Sequence, residues 1–321
     1  MSKVLPSSAA RPDGPGRLRR PSAEPGREPG VAGALVRTAR PKQWVKNVLV
    51  FAAPGAAGVL THGAALARTL AAFGIFCVVA SGTYFLNDTM DAQADGHHPT
   101  KRHRPIASGA LSRPAGLVIG VILLGAGLGA SLALGWHLAV VIGSYVAVQF
   151  AYSLRLKREP IFDLGAVAAG FVLRAIAGGV AARVPISEWF LIVAMFGSLM
   201  MVTGKRMAEH DQLGDARGSH RATLSAYSEA FLRGVLIIAA SVAVTAYCLW
   251  AFEKQAALGV HGDGIWYQLS IVPFVLAILR YAFMVDTGHG GRPEDVVLSD
   301  RALQLAGAVW VGLFALGVYA H

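Results

Sequence analysis

The sequence predicts an all-α membrane protein, a polytopic bundle of about nine transmembrane helices. Of its 321 residues, 54% are hydrophobic and only 15% are charged, whereas about a quarter are charged in soluble domains. The apolar residues are grouped in blocks of about 17 to 22, close to the roughly 20 helical residues that cross a hydrocarbon core. Strands are not expected, because these blocks are too long for the strands of a membrane barrel.

Nine apolar blocks mark the predicted spans. They cover residues 47–60, 65–86, 115–134, 138–154, 161–181, 187–203, 232–252, 266–284 and 303–320. The first is the weakest, because it is short and is interrupted by Pro54 and Gly55. Residues 1–36 are rich in Pro, Gly, Ala, Ser and Arg and lack aliphatic periodicity, so we expect a disordered tail there. Residues 37–321 then form one membrane domain.

Positive charge is distributed unevenly along the chain. The formal net charge is +10, and 25 of the 29 Lys and Arg fall before the first span or in alternate loops. The other loops hold only Arg68, Arg183 and Lys254. By the positive-inside rule, the N-terminus and the charged loops are cytoplasmic and the C-terminus lies outside. The charge therefore reflects membrane topology, and no nucleic-acid partner is expected.

The end of the second span carries the most specific pattern. Asn87, Asp91 and Asp95 stand at i, i+4 and i+8, which places them in one stripe of a helix, and Asp88 flanks that stripe. Carboxylates this close repel one another unless a cation holds them, and oxygen ligands beside substrate phosphates suit Mg²⁺. The alternative is a solvated acidic turn, which is disfavoured because the stripe continues directly from an apolar span.

A cationic run follows the acidic stripe. Lys101, Arg102 and Arg104 come within nine residues of Asp95. Carboxylates for a metal next to cations for phosphate oxygens make a coherent diphosphate site. Taken alone, the run is explained equally well by positive-inside charge. The histidines in this stretch could bind zinc. Mg²⁺ is favoured instead, because carboxylates are nearby and no cysteine is.

Two further segments contribute candidate binding residues. The segment that leads into the first span offers Lys46 and Asn47, while Trp44 is interpreted as an interfacial anchor. The short basic link between the fourth and fifth spans offers Tyr152 and Lys157.

Ionisable residues also lie in or beside the fifth and sixth spans. Asp163 and Arg174 fall on nearly the same face of the fifth helix but about 16 Å apart along it, too far to pair with each other. A charge inside a span is a functional candidate, and Arg174 either faces a polar cavity or pairs with another helix. After the sixth span, Lys205, Arg206 and Glu209 share one helical turn. A solvated, salt-bridged turn is the alternative for that segment.

The acidic pattern resembles the first motif of the UbiA superfamily of intramembrane prenyltransferases, and the nine-helix layout is similar too. The family's motif reads N-D-x-x-D-x-x-x-D, and its positions are matched here by Asn87, Asp88, Asp91 and Asp95. The second motif of the family, after the sixth helix, is normally rich in aspartate. Here the corresponding segment, 204–209, reads Gly-Lys-Arg-Met-Ala-Glu. It is basic where carboxylates are expected.

That departure is similar to one branch of the superfamily, found in mycobacteria and their relatives. The stretches RPKQWVKNVLVFAAP and LRAIAGGVAARVP are also similar to that branch. The resemblance implies a Mg²⁺-dependent transferase domain at 37–321 in the bacterial cell membrane, with its active site at the cytoplasmic face. It implies transfer of 5-phosphoribosyl from phosphoribosyl pyrophosphate to decaprenyl or another polyprenyl phosphate, toward arabinogalactan and lipoarabinomannan precursors.

The resemblance also implies residue roles. The metal set is Asn87, Asp88, Asp91 and Asp95, of which Asn87, Asp91 and Asp95 are the catalytic candidates. The candidate substrate contacts are Lys46, Asn47, Lys101, Arg102, Arg104, Tyr152, Lys157, Asp163, Arg174, Lys205, Arg206 and Glu209. Membrane lipids, and a second copy of the chain in a homo-oligomer, are the further partners considered.

Two other functions are weighed against this one. An aromatic prenyltransferase with a polyprenyl diphosphate donor predicts a second carboxylate motif at 205–215, which Asp211 and Asp215 keep open. A transporter predicts broken helices and mid-span charges, whereas nearly all charges here gather at one membrane face.

Overall fold

The computed structural model describes residues 30–213, 222–258, 264–289 and 293–320, and every regular element in these ranges is helical. The α-helices are α1 (Val31–Ala39), α2 (Ala52–Ala56), α3 (Gly63–Gly96), α4 (Arg113–Leu134), α5 (Trp136–Leu154), α6 (Phe162–Ala182), α7 (Glu188–Leu213), α8 (Ala222–Ala226), α9 (Glu229–Leu258), α10 (Ile265–Met284), α11 (Pro293–Ser299) and α12 (Arg301–Tyr319). The 3₁₀ helices are Pro41–Phe51, Val59–Thr61, Lys101–His103 and Leu156–Arg158. The all-α prediction is confirmed.

Eight of the described helices are long and apolar enough to cross a membrane, namely α3 to α7, α9, α10 and α12. Large apolar side chains such as Ile122, Ile238 and Val272 are about 60% exposed on their outer faces. Such surfaces are stable against lipid tails and unstable in water. The chain is therefore a multi-pass membrane protein.

The first predicted span, 47–60, is not a regular transmembrane helix. It consists of the 3₁₀ helix Pro41–Phe51, the five-residue α2 and the short 3₁₀ helix Val59–Thr61. Pro54 has no backbone N–H to donate, and Gly58 has a left-handed φ of 72°, which ends the α-helical turn. With the eight regular helices, this segment gives the predicted total of about nine.

Helix α1 begins inside the segment 1–36, which the sequence analysis assigns to a tail. Ala34 and Thr38 on this helix are fully buried, so α1 is packed against the domain. Arg40 then adopts a left-handed conformation, with φ 53° and ψ 58°, and ends α1. The remainder of the predicted tail, up to residue 29, lies outside the described residues.

The 3₁₀ helix Pro41–Phe51 is wedged between α3 and α6. The approach to α6 is close at Gly178, where a β-carbon would lie only 1.7 Å from the carbonyl oxygen of Val50. Only glycine leaves room for a backbone there. The small residue thus fixes the depth at which the first segment enters the bundle.

Four buried clusters hold the described helices together, and α6 contributes to the two largest. The first joins α3, α5 and α6 around Phe76, Ile142 and Tyr145. The second joins α6, α7, α9 and α10 around residues such as Leu164 and Leu232. Helix α6 is therefore the central element, and 56% of the residues in its most apolar 18-residue stretch are buried.

Alternating helix directions bring the candidate residues to one end of the bundle. Ser153 at the end of α5 hydrogen-bonds Asn87 near the end of α3. Arg206 near the end of α7 contacts Asp163 at the start of α6. A cavity of about 520 Å³ lies between the start of α5 and the end of α6. It is at the opposite end of the bundle from these candidate residues.

Candidate active site

The acidic motif lies on the last three turns of α3, which continues to Gly96, ten residues beyond the predicted span. Because each residue turns a helix by about 100°, Asp88 and Asp95 lie about 20° apart, whereas Asn87 is displaced toward another neighbour. The structure accordingly divides the motif into two pairs. Asp88 and Asp95 face one set of cations, and Asn87 and Asp91 face the end of α5.

Two arginines hold the first pair of carboxylates. Arg104 Nη1 lies 3.1 Å from Asp88 Oδ1 and 2.7 Å from Asp95 Oδ2. Arg40 Nη2 donates to Asp88 Oδ1 at 2.6 Å, and its guanidinium lies over the ring of Tyr84, 4.8 Å from the centroid. The side chains of Asp88 and Asp95 are only 3% and 5% exposed. Both buried carboxylates are therefore neutralised by the protein's own cations.

The second pair contacts the basic link after α5. Ser153 donates its hydroxyl to Asn87 Oδ1 at 2.9 Å. Lys157 Nζ lies 3.5 Å from Asp91 Oδ1, and the Asp91 side chain is 42% exposed. Asp91 is thus the most accessible carboxylate of the motif. Tyr152 lies in the last turn of α5, half-buried and close enough to interact electrostatically with Arg206.

A cavity of about 270 Å³ opens beside the first carboxylate pair. Its lining residues are Arg37, Arg40, Asp88, Thr100, His103, Arg104 and Pro105. Three guanidinium groups and one carboxylate give it an excess of positive charge, which suits an anionic ligand with several oxygens. Lys101 and Arg102 lie in the adjoining 3₁₀ helix and are exposed.

The oxygen donors of the motif suit a hard divalent cation. In this conformation they are not gathered around one point: among the described residues, no three acidic, histidine or cysteine side chains are close enough together to hold a metal ion. The reason is visible in the contacts, because arginines occupy Asp88 and Asp95 while Asp91 turns toward Lys157. Carboxylate and amide oxygens are suitable ligands for a divalent metal. Asp88 and Asp95 could bind one only after separating from Arg40 and Arg104.

The 3₁₀ helix Pro41–Phe51 runs along the inner face of α3. Asn47 Nδ2 donates to Cys77 Sγ at 3.4 Å, and Trp44 Nε1 donates to Ser81 Oγ at 3.1 Å. Trp44, interpreted from the sequence as an interfacial anchor, therefore also packs against α3. Lys46, on the same segment, is half-buried.

Arg174 lies deep in the bundle, 5% exposed. Its guanidinium donates to Asn47 Oδ1 at 2.8 Å, to the carbonyl of Gly170 at 2.7 Å and to the hydroxyl of Tyr145 at 2.9 Å. Of the two alternatives from the sequence, the structure shows the bridge to other elements. Arg174 ties α6 to α5 and to the first segment, and a substrate contact by Arg174 stays a prediction.

Asp163 is fully buried at the start of α6 and accepts three hydrogen bonds. The donors are Arg206 Nε at 3.2 Å, Thr223 Oγ1 at 3.3 Å and the hydroxyl of Tyr227 at 2.5 Å. Tyr227 also accepts from the backbone N–H of Ile161 at 2.6 Å. Burial, and then the bond to Asp163, raise the pKa of Tyr227 well above its ordinary value. Tyr227 therefore stays protonated and keeps donating across the neutral range.

The segment 204–209 combines one buried and one accessible cation. Arg206 is 2% exposed and bonds Glu209 Oε2 at 2.7 Å as well as Asp163. Lys205 Nζ lies 3.7 Å from Glu209 Oε1, and its side chain is 45% exposed. Lys205 is therefore the more accessible of the two cations. The side chain of Asp211, and all of Asp215, lie outside the described residues.

Sequence reasoning missed several residues of this site. The sequence offers one signal for Arg40, which is the first residue of the family-like stretch RPKQW and precedes the proline that begins the 3₁₀ helix. Ser153, Tyr145 and Tyr227 gave no signal, because neutral residues acquire a role only through partners distant in sequence.

Comparison with known proteins identifies the family. The sequence model of the UbiA prenyltransferase family matches residues 48–317. The chain belongs to this family. Within it, the chain is 45% identical over 298 residues to the decaprenyl-phosphate phosphoribosyltransferase of Corynebacterium glutamicum, covering 90% of this chain and 88% of the relative. It is 42% identical over 292 residues to the enzyme of that name from Mycobacterium tuberculosis, covering 90% and 95%.

Solved structures of UbiA family members share the architecture. A UbiA homologue from Archaeoglobus fulgidus bound to GPP and Mg²⁺ superposes with a TM-score of 0.68 at 16% identity, covering 90% of this chain and all of that one. The Cd²⁺-bound structure of the same homologue gives a TM-score of 0.65 at 17% identity, covering 89% and 98%. The UbiA fold predicted from the sequence is confirmed. The match to the UbiA prenyltransferase family model argues against the transporter interpretation.

Proposed function

We propose that this protein transfers the 5-phosphoribosyl group of phosphoribosyl pyrophosphate to decaprenyl or another polyprenyl phosphate and releases pyrophosphate. The observation that carries the proposal is the 42–45% identity, over about 90% of the chain, to decaprenyl-phosphate phosphoribosyltransferases. We propose a role in supplying precursors for arabinogalactan and lipoarabinomannan. The site would face the cytoplasm, as the positive-inside pattern predicts.

The reaction needs charge neutralisation more than proton transfer. An oxygen of the acceptor phosphate forms a bond to C1 of ribose while the bond from C1 to pyrophosphate breaks and leaves its electron pair on the leaving group. The acceptor oxygen is already anionic, so no general base is required. This accounts for a site built from cations and carboxylates.

Mg²⁺ is the proposed metal, with Asn87, Asp88, Asp91 and Asp95 as the residues that would hold it. When bound, the ion would neutralise negative charge that develops on the leaving pyrophosphate. Arg40 and Arg104 line the adjacent cavity and would contact phosphate oxygens of the donor. Positioned donors of this kind stabilise charge as it develops in the transition state.

Cations at the second motif support a substrate that carries additional phosphate. Both the donor 5-phosphate and the acceptor phosphate are anionic, and Lys205 is exposed at the same end of the bundle as Asp91. The accessible basic link around Lys157 would serve the same purpose.

The test uses membranes from a host that expresses the protein, phosphoribosyl pyrophosphate labelled in the ribose, and decaprenyl phosphate. A labelled, lipid-extractable product that requires both substrates is expected. A parallel reaction supplies a polyprenyl diphosphate and an aromatic acid. Activity in that reaction alone would refute the proposal and favour the aromatic prenyltransferase.

A further inference from the structure

Two buried carboxylates of the acidic motif share one guanidinium nitrogen. Nη1 of Arg104 lies within 3.1 Å of both Asp88 and Asp95, and Arg40 adds a second contact to Asp88. Two buried carboxylates this close to each other would repel strongly without such cations. The four side chains form a neutral cluster with two negative and two positive members.

This neutral cluster discriminates against a bare metal ion. A divalent cation that approached Asp88 and Asp95 would meet two guanidinium groups already bound to them, and like charges oppose its entry. A metal that arrives with a diphosphate presents a different balance. The arginines can then pair with the diphosphate oxygens, and the carboxylates can bind the metal. No charge is left unpaired by this exchange.

The local backbone is arranged for such an exchange. Asp88 and Asp95 are fixed on the long helix α3, whereas both arginines lie at joints between helices. Arg40 is the left-handed residue between α1 and the 3₁₀ helix, and Arg104 has extended backbone after the helix Lys101–His103. Both arginines line the cavity and are about 30% exposed at their side chains. Their guanidinium groups can turn toward the cavity while α3 stays in place.

We propose that Arg40 and Arg104 are partner-exchange residues, which hold Asp88 and Asp95 in the free protein and release them to a metal only when a diphosphate arrives. The proposal rests on the proposed function for the identity of the diphosphate. Arg104 should oppose the binding of a metal alone more strongly than Arg40 does, because Arg104 contacts both carboxylates whereas Arg40 contacts only Asp88. The proposal also predicts that metal and diphosphate bind synergistically.

Removing Arg104 should therefore shift two affinities in opposite directions. Arg104→Ala frees Asp95 and removes one of the two arginines bound to Asp88, so a divalent ion alone should bind about tenfold more tightly than to wild type. The same change removes a charge-assisted phosphate contact, so the complex of metal and diphosphate should bind about ten- to a hundredfold more weakly. An arginine that merely braces the loop would weaken both.

The experiment measures Mn²⁺ binding to the purified full-length protein in detergent by electron paramagnetic resonance. Titrations with Mn²⁺ alone and with preformed Mn²⁺–pyrophosphate are compared for wild type, Arg40→Ala, Arg104→Ala and Arg104→Lys. The matched control is Arg113→Ala, an exposed arginine at the first position of α4, which should leave both affinities unchanged. Arg104→Lys keeps the charge and should keep weak binding of Mn²⁺ alone, even if truncation to alanine impairs folding.

The outcomes separate this inference from the proposed function. Opposite shifts in Arg104→Ala, or a tight Mn²⁺ site that appears in Arg40→Ala but not in Arg104→Lys, support partner exchange. Unchanged or weaker binding of Mn²⁺ alone to a folded Arg104→Ala protein overturns it. Because the measurement requires neither acceptor nor turnover, partner exchange can fail in a protein that transfers phosphoribosyl, and can hold in one that does not.

Discussion

Lys157 and Asp91 form an ion pair, 3.5 Å apart, between the basic link after α5 and the acidic motif of α3. The two residues are 66 positions apart in sequence, and they meet because Ser153 fastens the end of α5 to Asn87. Here, as at Arg104, a predicted phosphate contact adjoins a predicted metal ligand. Because both side chains are partly exposed, the pair can open to admit a ligand.

The first prediction concerns the carboxylates. Asp91→Asn or Asp95→Asn should abolish turnover, because an amide replaces a charged oxygen ligand of the metal that is bound together with pyrophosphate. The protein should still insert and fold, as judged by expression level and gel filtration. The assay is run at limiting Mg²⁺. Near wild-type activity of either variant would show that the motif is not the metal site.

The second prediction separates the two cations of the segment 204–209. Lys205→Gln should lower kcat/KM about ten- to a hundredfold through loss of a phosphate contact, with little change in thermal stability. Arg206→Gln removes the ion pair between Arg206 and the buried Asp163 carboxylate, which should destabilise the fold by about 3–5 kcal/mol. Thermal unfolding in detergent and initial rates are measured for both variants. Equal stability of the two variants would mean that the Arg206–Asp163 pair does not support the fold.

The third prediction concerns Tyr227 and alkaline pH. Its raised pKa means that the folded state holds this proton more tightly than the unfolded chain, whose tyrosines titrate near pH 10. The stabilising effect is therefore complete below about pH 10 and is lost as pH rises further. Tyr227→Phe should cost about 1–2 kcal/mol at pH 7, because Asp163 loses a donor. The gap in unfolding temperature between the two proteins should narrow above pH 10, and a gap independent of pH would contradict this assignment.

The fourth prediction tests the seat of the first segment. Gly178→Ala places a β-carbon 1.7 Å from Val50 O, and it should destabilise the protein by more than about 3 kcal/mol. Gly165→Ala on the same helix is the control, since a β-carbon there meets nothing within 4 Å. That change should be neutral or stabilising by about 0.5–1 kcal/mol. Similar unfolding temperatures for both variants would show that the 3₁₀ segment does not pack as described.

Hydropathy predicted the helices well because it reports which residues contact lipid. It placed the second span at 65–86, while α3 continues to Gly96, since a helix does not end where the membrane does. The same signal cannot distinguish an α-helix from the 3₁₀ helix Pro41–Phe51, because both can be apolar over a short stretch. Left-handed residues, Arg40 and Gly58, bound the segment that holds this 3₁₀ helix.

The candidate site was predictable as far as its charges were local in sequence. The acidic motif and Arg104 lie within 18 residues, and their proximity follows from this closeness in sequence. Arg40 reaches Asp88 from 48 residues away and Tyr227 reaches Asp163 from 64. Such contacts depend on how whole helices pack, which one sequence does not reveal. Arg206, predicted as a phosphate contact, is buried because α7 packs against α6 and brings it to Asp163.

Phosphoribosyl transfer at the end of α3 is tested most directly by the stoichiometry of its products. Purified protein is incubated with phosphoribosyl pyrophosphate, decaprenyl phosphate and Mg²⁺, and lipid-linked 5-phosphoribose and free pyrophosphate are quantified by mass spectrometry and an enzymatic assay. The account predicts equal amounts of both products from wild type and neither from Asp91→Asn. Pyrophosphate released without lipid-linked phosphoribose, or product formation that survives Asp91→Asn, would contradict it.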